Sequence, residues 1–338
     1  MREISGRSRL YNVLPGELTG GDIESAQTFL DSKSPSDLKF WASQRSREPY
    51  SCGDQRFRMV VDKPNGGNRD KAVLFLSEFG TPDLPRLIAK ARITRDFIDP
   101  EASLVIQPSS VNGEDNMNFS HDERLRLLKG DLQPYIARIA IVMKSLSDPE
   151  DLTIFGPSQG ATVGMAYASS DEVHATALTI VEAPNVAERN SLSLAQDFAQ
   201  SGQDLARVVR ANFDNHERPL AQLIEKDASS PVSMARFIVS AMHPDNMATV
   251  GVMQHNTASE HIKAVLDKGG SVVHAWGDVD NVSPAFNNQR IADEFEAQPR
   301  YASRVLRNMG HTAMDFYALD GALARLAHNL HTTPIDVG

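Results

Sequence analysis

Residues 151–167 read Asp-Leu-Thr-Ile-Phe-Gly-Pro-Ser-Gln-Gly-Ala-Thr-Val-Gly-Met-Ala-Tyr and place one hydroxyl, that of Ser158, between a strand signal and a helix signal. The strand signal is the apolar run from Leu152 to Phe155, and the helix signal is the small-residue segment from Gln159 to Tyr167. A serine on so tight a bend is held in strained backbone angles. Its neighbours two residues away, Gly156 and Gly160, must then lack side chains so that strand and helix can approach. Gly164 and Ala168 continue the small face that lets the helix lie on a sheet. A hydroxyl is a weak nucleophile at neutral pH and needs a base within hydrogen-bond reach to take its proton. Gly-x-Ser-x-Gly between a strand and a helix is the arrangement that exposes such a nucleophile at a sharp turn.

The stretch resembles the nucleophile elbow of the α/β-hydrolase family, and the resemblance extends over about residues 55–330. In that family the nucleophile, acid and base follow in chain order. Residues 271–284 give an apolar strand and then Gly277-x-x-Asp280-x-Val282-x-Pro284, similar to the family's acid-bearing loop, which implies Asp280 as the acid. Asp278 and Glu182 are the rival carboxylates, the second because some hydrolases of this kind carry the acid after the strand that follows the elbow. Residues 304–311 give a short last strand and Gly310-His311, which implies His311 as the base. The imidazole would take the proton of Ser158 and return it to the leaving group, while Asp280 fixes the tautomer. The oxyanion would be held by the backbone N–H of Gln159, at the helix start, and by that of Phe79.

Phe79 is placed by register. Ser77-Glu78-Phe79-Gly80 stands where the family keeps His-Gly-x, so Glu78 occupies a glycine position and brings negative charge towards a developing oxyanion. The preferred expectation is that Glu78 points into solvent, and the other is that it binds a cationic substrate group or water.

These residues need a scaffold. From Arg56 apolar residues alternate, Pro64-Asn65-Gly66-Gly67 marks a turn, and 72–76 and 103–107 read as strands. Ser120 and Glu123 form a capping box, and a helix opening at Pro134 leads towards the elbow strand. With a further strand at 175–181, right-handed crossovers give a largely parallel sheet. The expected architecture is the α/β-hydrolase fold: a mostly parallel central sheet flanked by helices, with a helical cap insertion. Its expected divisions are an N-terminal extension over 1–52, a core over 53–184 and 270–338, and a cap over 185–269. The cap contains Met234 and Met242, whose flexible thioethers suit an adaptable substrate pocket and equally suit ordinary core filling.

Composition narrows the chemistry. A 41% hydrophobic and 23% charged content fits a folded globular chain, and a net charge of −10 without a basic stripe argues against nucleic acid as a partner. No apolar run approaches membrane-spanning length, the N-terminal residues lack a secretory signal, and the single Cys52 suits a reducing compartment, so the expectation is a cytoplasmic protein without membrane insertion. The histidines other than His311 lack metal-ligand spacing, and no dinucleotide fingerprint is present, so neither a metal nor a cofactor is expected. The expected partner is a small ester-like substrate, with the oligomeric state open and a homodimer included. Acyl transfer on the same residues and a non-catalytic small-molecule binding protein are the alternatives to hydrolysis. Substrate identity depends on pocket shape, which sequence does not give.

Overall fold

A computed structural model describes residues 28, 32, 36, 40–41, 43 and 47–333, except 64–69, 80–83, 108–116, 147–148, 199–242, 307–309 and 312–316. Eight strands form one sheet: β1 (Arg47–Cys52), β2 (Gln55–Asp62), β3 (Lys71–Leu76), β4 (Ser103–Gln107), β5 (Asp151–Pro157), β6 (Ala177–Val181), β7 (Ser271–Gly277) and β8 (Tyr301–Leu306). Their spatial order is β1-β2-β4-β3-β5-β6-β7-β8. The pairs β1/β2 and β2/β4 are antiparallel and all the others are parallel. The sheet thus begins at Arg47, inside the segment read from sequence as an extension. The parallel strands are buried on both faces, so they read as continuous apolar runs: β4 and β6 are buried at every residue.

Helices cover both faces. α1 (Leu84–Ile98) and α8 (Tyr317–Thr332) pack against each other on one side, where Val73 and Phe75 of β3 point. The other side takes Ala72, Leu74 and Leu76 of the same strand. There lie α2 (His121–Leu128), α3 (Gln133–Lys144), α4 (Gln159–Ser169), α5 (Pro244–Val252), α6 (Ala258–Asp267) and α7 (Ala285–Phe295). The capping box is formed, with Ser120 Oγ accepting from the Glu123 N–H and Glu123 accepting from the Ser120 N–H. Within 185–269, α5 packs on α2, while α6 packs on α4 and leads into β7 as a crossover helix of the sheet.

One feature of α1 reaches across the fold. Its Arg92 is fully buried, donates from Nε to Asp62 Oδ2 at 2.9 Å, and donates from Nη1 to the carbonyls of Trp41 and Ser43 at 3.0 Å each. Trp41, itself buried, donates from its indole to Asp96 at 2.8 Å. Residues 40, 41 and 43 are therefore fastened to α1.

The chain leaves β3 for β4 on one side and later enters β5 on the other. The topological switch therefore lies between β3 and β5, where ligands of open α/β sheets bind beyond the carboxyl ends of the strands. Ser158 immediately follows β5, and Ser77, Glu78 and Phe79 immediately follow β3.

Candidate active site

Ser158 has φ 50° and ψ −120°, a left-handed backbone for a residue with a Cβ. The two glycines explain how the corner closes. A Cβ on Gly156 would stand 2.3 Å from the carbonyl oxygen of Gly160, and one on Gly160 would stand 2.3 Å from that of Leu76. Both collisions are with backbone, which cannot step aside. The second also shows that the helix start lies directly against the end of β3 and hence beside the Ser77–Phe79 loop. Gly164, one turn further, faces Leu76, Ile154 and Leu178 at 3.1, 3.3 and 3.7 Å from where a Cβ would be.

Three side chains far apart in sequence meet here. Ser158 Oγ lies 2.7 Å from His311 Nε2, and His311 Nδ1 lies 2.9 Å from Asp280 Oδ2. A carboxylate only accepts, so Nδ1 carries the hydrogen and Nε2 presents its lone pair to the serine hydroxyl. The other oxygen of Asp280 accepts the N–H of Val282 at 2.7 Å and of Ser283 at 2.9 Å, which fixes the carboxylate in its loop. All three side chains are buried. Of the rival carboxylates, Glu182 places Oε2 4.0 Å from the same Nδ1, beyond hydrogen-bond length. Asp278, by contrast, continues β7 through its N–H to the Leu306 carbonyl, and it is Asp280 that touches the imidazole.

The acid loop is tied down from behind. Ser283 Oγ donates to the Ala183 carbonyl at 2.7 Å, Asn288 Nδ2 donates to the Ser283 carbonyl at 2.9 Å, and Asn288 Oδ1 faces His274 Nε2 at 2.7 Å. His274 Nδ1 in turn meets the Tyr301 hydroxyl at 3.0 Å. With Nε2–H donating to Asn288 and Nδ1 accepting from Tyr301, this buried ring is satisfied in its neutral form. Burial lowers its pKa from 6.5 to about 4, with the Asn288 hydrogen bond working in the opposite direction. Between those two values the unfolded chain carries a proton that the folded chain does not. Acidification from pH 6.5 to 4 should therefore remove about 3 kcal/mol of stability. Denaturant titrations across that window should show this fall in the parent and a flatter dependence in His274→Gln. An equal slope in both would show that other groups cause it.

The two residues expected on the oxyanion side start α4 and follow β3. Gln159 is the first residue of α4, where an N–H has no intrahelical acceptor, and its side-chain Nε2 donates to the Tyr135 hydroxyl at 3.1 Å. Burial raises the pKa of that hydroxyl, so it stays protonated. Asn185 braces the start of α4: its Oδ1 accepts from Thr162 Oγ1 at 3.0 Å, and its Nδ2 donates to Thr257 Oγ1 at 3.0 Å. Phe79 stacks in tilted contact with Phe198 at 5.9 Å, and Phe198 meets the His311 ring edge-on at 5.5 Å. Residues 191–198 are helical and so bring an aromatic wall over the imidazole, pinned by Arg189 and Asp197 at 2.8 Å. Phe198 had no motif to announce it. Met234 and Met242, with most of the expected cap, lie outside the described residues.

Glu78 corrects an expectation. It does not face solvent: it is 8% exposed, with Oε2 3.9 Å from Lys90 Nζ, and the same Nζ lies 3.2 Å from Asp320 Oδ2. The reason is α1, which passes behind the loop and delivers Lys90 to it, while α8 supplies Asp320. The carboxylate's charge is thus met by a buried ammonium behind the loop. Lys90→Met should remove the cation faced by two buried carboxylates and cost about 3 kcal/mol or more of stability. A thermal melt indistinguishable from the parent's would show that Lys90 does not hold this loop.

Among the described residues, Glu182, Asp280 and His311 are the set whose donor atoms, all within 4.8 Å of one another, could share a metal ion. Their present geometry is that of a hydrogen-bonded chain, with His311 Nδ1 committed to Asp280 and Asp280 Oδ1 to two amides. No described helix is long and apolar enough to cross a membrane.

No protein-family model matches the chain, and no curated protein matches it in sequence. Solved structures do match in shape. The chain is similar to a thermophilic esterase from Thermogutta terrifontis at 14% identity and a TM-score of 0.51, over 86% of this chain and 100% of that one. It is similar to the thioesterase domain of the curacin biosynthetic pathway at 15% identity and 0.52, over 83% and 99%. It is also similar to an α/β-hydrolase enzyme from a Medee basin deep-sea metagenome library at 10% and 0.52, over 82% and 96%. At such identities the likeness establishes the fold, which is that of the α/β hydrolases.

Proposed function

We propose that this chain is a serine hydrolase that cleaves a carboxylic ester, or a thioester or amide, through an acyl-enzyme. The observation that carries the proposal is the continuous hydrogen-bonded chain from Ser158 Oγ through His311 to Asp280, at a strained corner beyond β5. In the first step Ser158 Oγ bonds to the substrate carbonyl carbon as its proton passes to His311 Nε2. The imidazolium gives that proton to the leaving group as the bond to it breaks. Water then repeats the sequence on the acyl-enzyme and frees the acid. Asp280 holds the ring and offsets its positive charge, and the backbone N–H groups of Gln159 and Phe79 receive the oxyanion. No step calls for a cofactor or metal.

The aromatic pair Phe79 and Phe198 makes the near wall apolar, which favours an apolar acyl or alcohol group beside the imidazole. The cap methionines Met234 and Met242 are proposed to extend that wall. The test is a series of p-nitrophenyl esters of increasing acyl length. Turnover that depends on Ser158 and improves with chain length supports the proposal, and its absence with every ester and thioester contradicts it.

A further inference from the structure

Glu182 stands directly after β6 with φ 54°, a backbone state that costs free energy for any residue with a Cβ. A glycine would meet the backbone requirement there without strain. The residue is instead a fully buried glutamate whose N–H continues the ladder to the Ala275 carbonyl at 2.8 Å. That strained angle goes with a carboxylate oxygen 4.0 Å from His311 Nδ1, on the side of the ring already held by Asp280. The imidazole therefore has two buried carboxylates on its Nδ1 side and the serine on its Nε2 side.

We propose that Glu182 is a positioning residue, a second carboxylate that steadies the His311 imidazolium alongside Asp280 and takes over the Nδ1–H when Asp280 cannot accept it. The proposal rests on the hydrolase reading above. At 4.0 Å it makes no hydrogen bond to the imidazole in the resting arrangement, so what it adds to the ring there is charge. Charge at that separation in a buried site matters most when the ring gains its proton from Ser158, which is when the transition state forms. The Nδ1 hydrogen stays on nitrogen throughout. A shift of about 1 Å would bring Glu182 into hydrogen-bond range if the closer acceptor were lost.

The test is a double-mutant cycle on kcat, with substrate binding read separately as KM. Glu182→Gln should lower kcat about tenfold and leave KM within about twofold. Asp280→Asn should lose only about a hundredfold, far less than the roughly ten-thousandfold expected when the sole carboxylate of a triad becomes an amide. Adding Glu182→Gln to Asp280→Asn should then remove a further hundredfold, more than its effect alone. The far-downfield proton resonance of the His311 Nδ1–H should persist in Asp280→Asn and vanish in the double variant. Glu182→Gly, which suits the φ and also lacks the carboxylate, should match Glu182→Gln in kcat, and a parent-like kcat in it would overturn the proposal. The proposal is overturned if Asp280→Asn alone falls ten-thousandfold, or if Glu182→Gln costs the same fraction in both backgrounds. Parent turnover that survives Ser158→Ala would instead sink the hydrolase reading itself, so the two failures are distinct.

Discussion

Ser158→Ala is expected to lower ester turnover by about ten-thousandfold or more while leaving the melting temperature within a few degrees of the parent's. The loss is large because Oγ is the atom that forms the acyl bond, and no other described hydroxyl touches His311 Nε2. The fold survives because alanine keeps the Cβ, so the strained φ of 50° is neither relieved nor worsened. Ser158→Gly separates the two effects further. It should be equally inactive yet more stable by roughly 0.5–1 kcal/mol, since glycine adopts this backbone freely. Steady-state kinetics and thermal melts on the same preparations check both halves.

Removing the base should cost a comparable factor, with a different signature in stability. His311→Gln leaves a polar side chain that can still donate towards Asp280 but cannot take the serine proton, so kcat should fall by about ten-thousandfold with modest destabilisation. His311→Ala should be as inactive and markedly less stable. It withdraws the ring that two buried carboxylates, Asp280 and Glu182, both face on its Nδ1 side, and leaves a void where the acceptor Asp280 Oδ2 had its donor. A melt of His311→Ala that equals that of His311→Gln would mean that the imidazole adds nothing to the stability of the acid loop beyond its amide hydrogen bonds.

Much of this arrangement was legible in the sequence because the elbow is dictated locally. Gly156, Ser158 and Gly160 lie within five residues, and the backbone collisions that exclude side chains there are set by that one turn. The loop at Gly277–Pro284 was legible for the same reason, since Asp280 binds the N–H groups of Val282 and Ser283 close by in the chain. The capping box of α2 and the parallel strands followed from period and cap chemistry.

What escaped the sequence is contact between distant segments. α1 carries Lys90, Arg92, Thr94 and Arg95 on buried positions, so its apolar stripe is broken by charge and no amphipathic pattern marks it. Those charges find partners from residue 41 to residue 320, and only the folded chain brings them together. Glu78 therefore reads as solvent-facing in the sequence and is buried in the fold. β1 reads as part of an extension because Arg47–Cys52 is a short, mostly polar edge strand whose pairing with β2 no local signal announces. Loop spacing singles out Asp280 over Asp278 and Glu182, but only the folded chain shows that Glu182 also comes within 4.0 Å of the same imidazole.

The most direct test of the central claim is covalent labelling with a fluorophosphonate probe, followed by mapping of the adduct by mass spectrometry. The account predicts one adduct per chain, on Ser158, formed slowly in His311→Gln and not at all in Ser158→Ala. A parent protein that turns over esters while Ser158 stays unmodified, or an adduct on another residue that abolishes turnover, would contradict it.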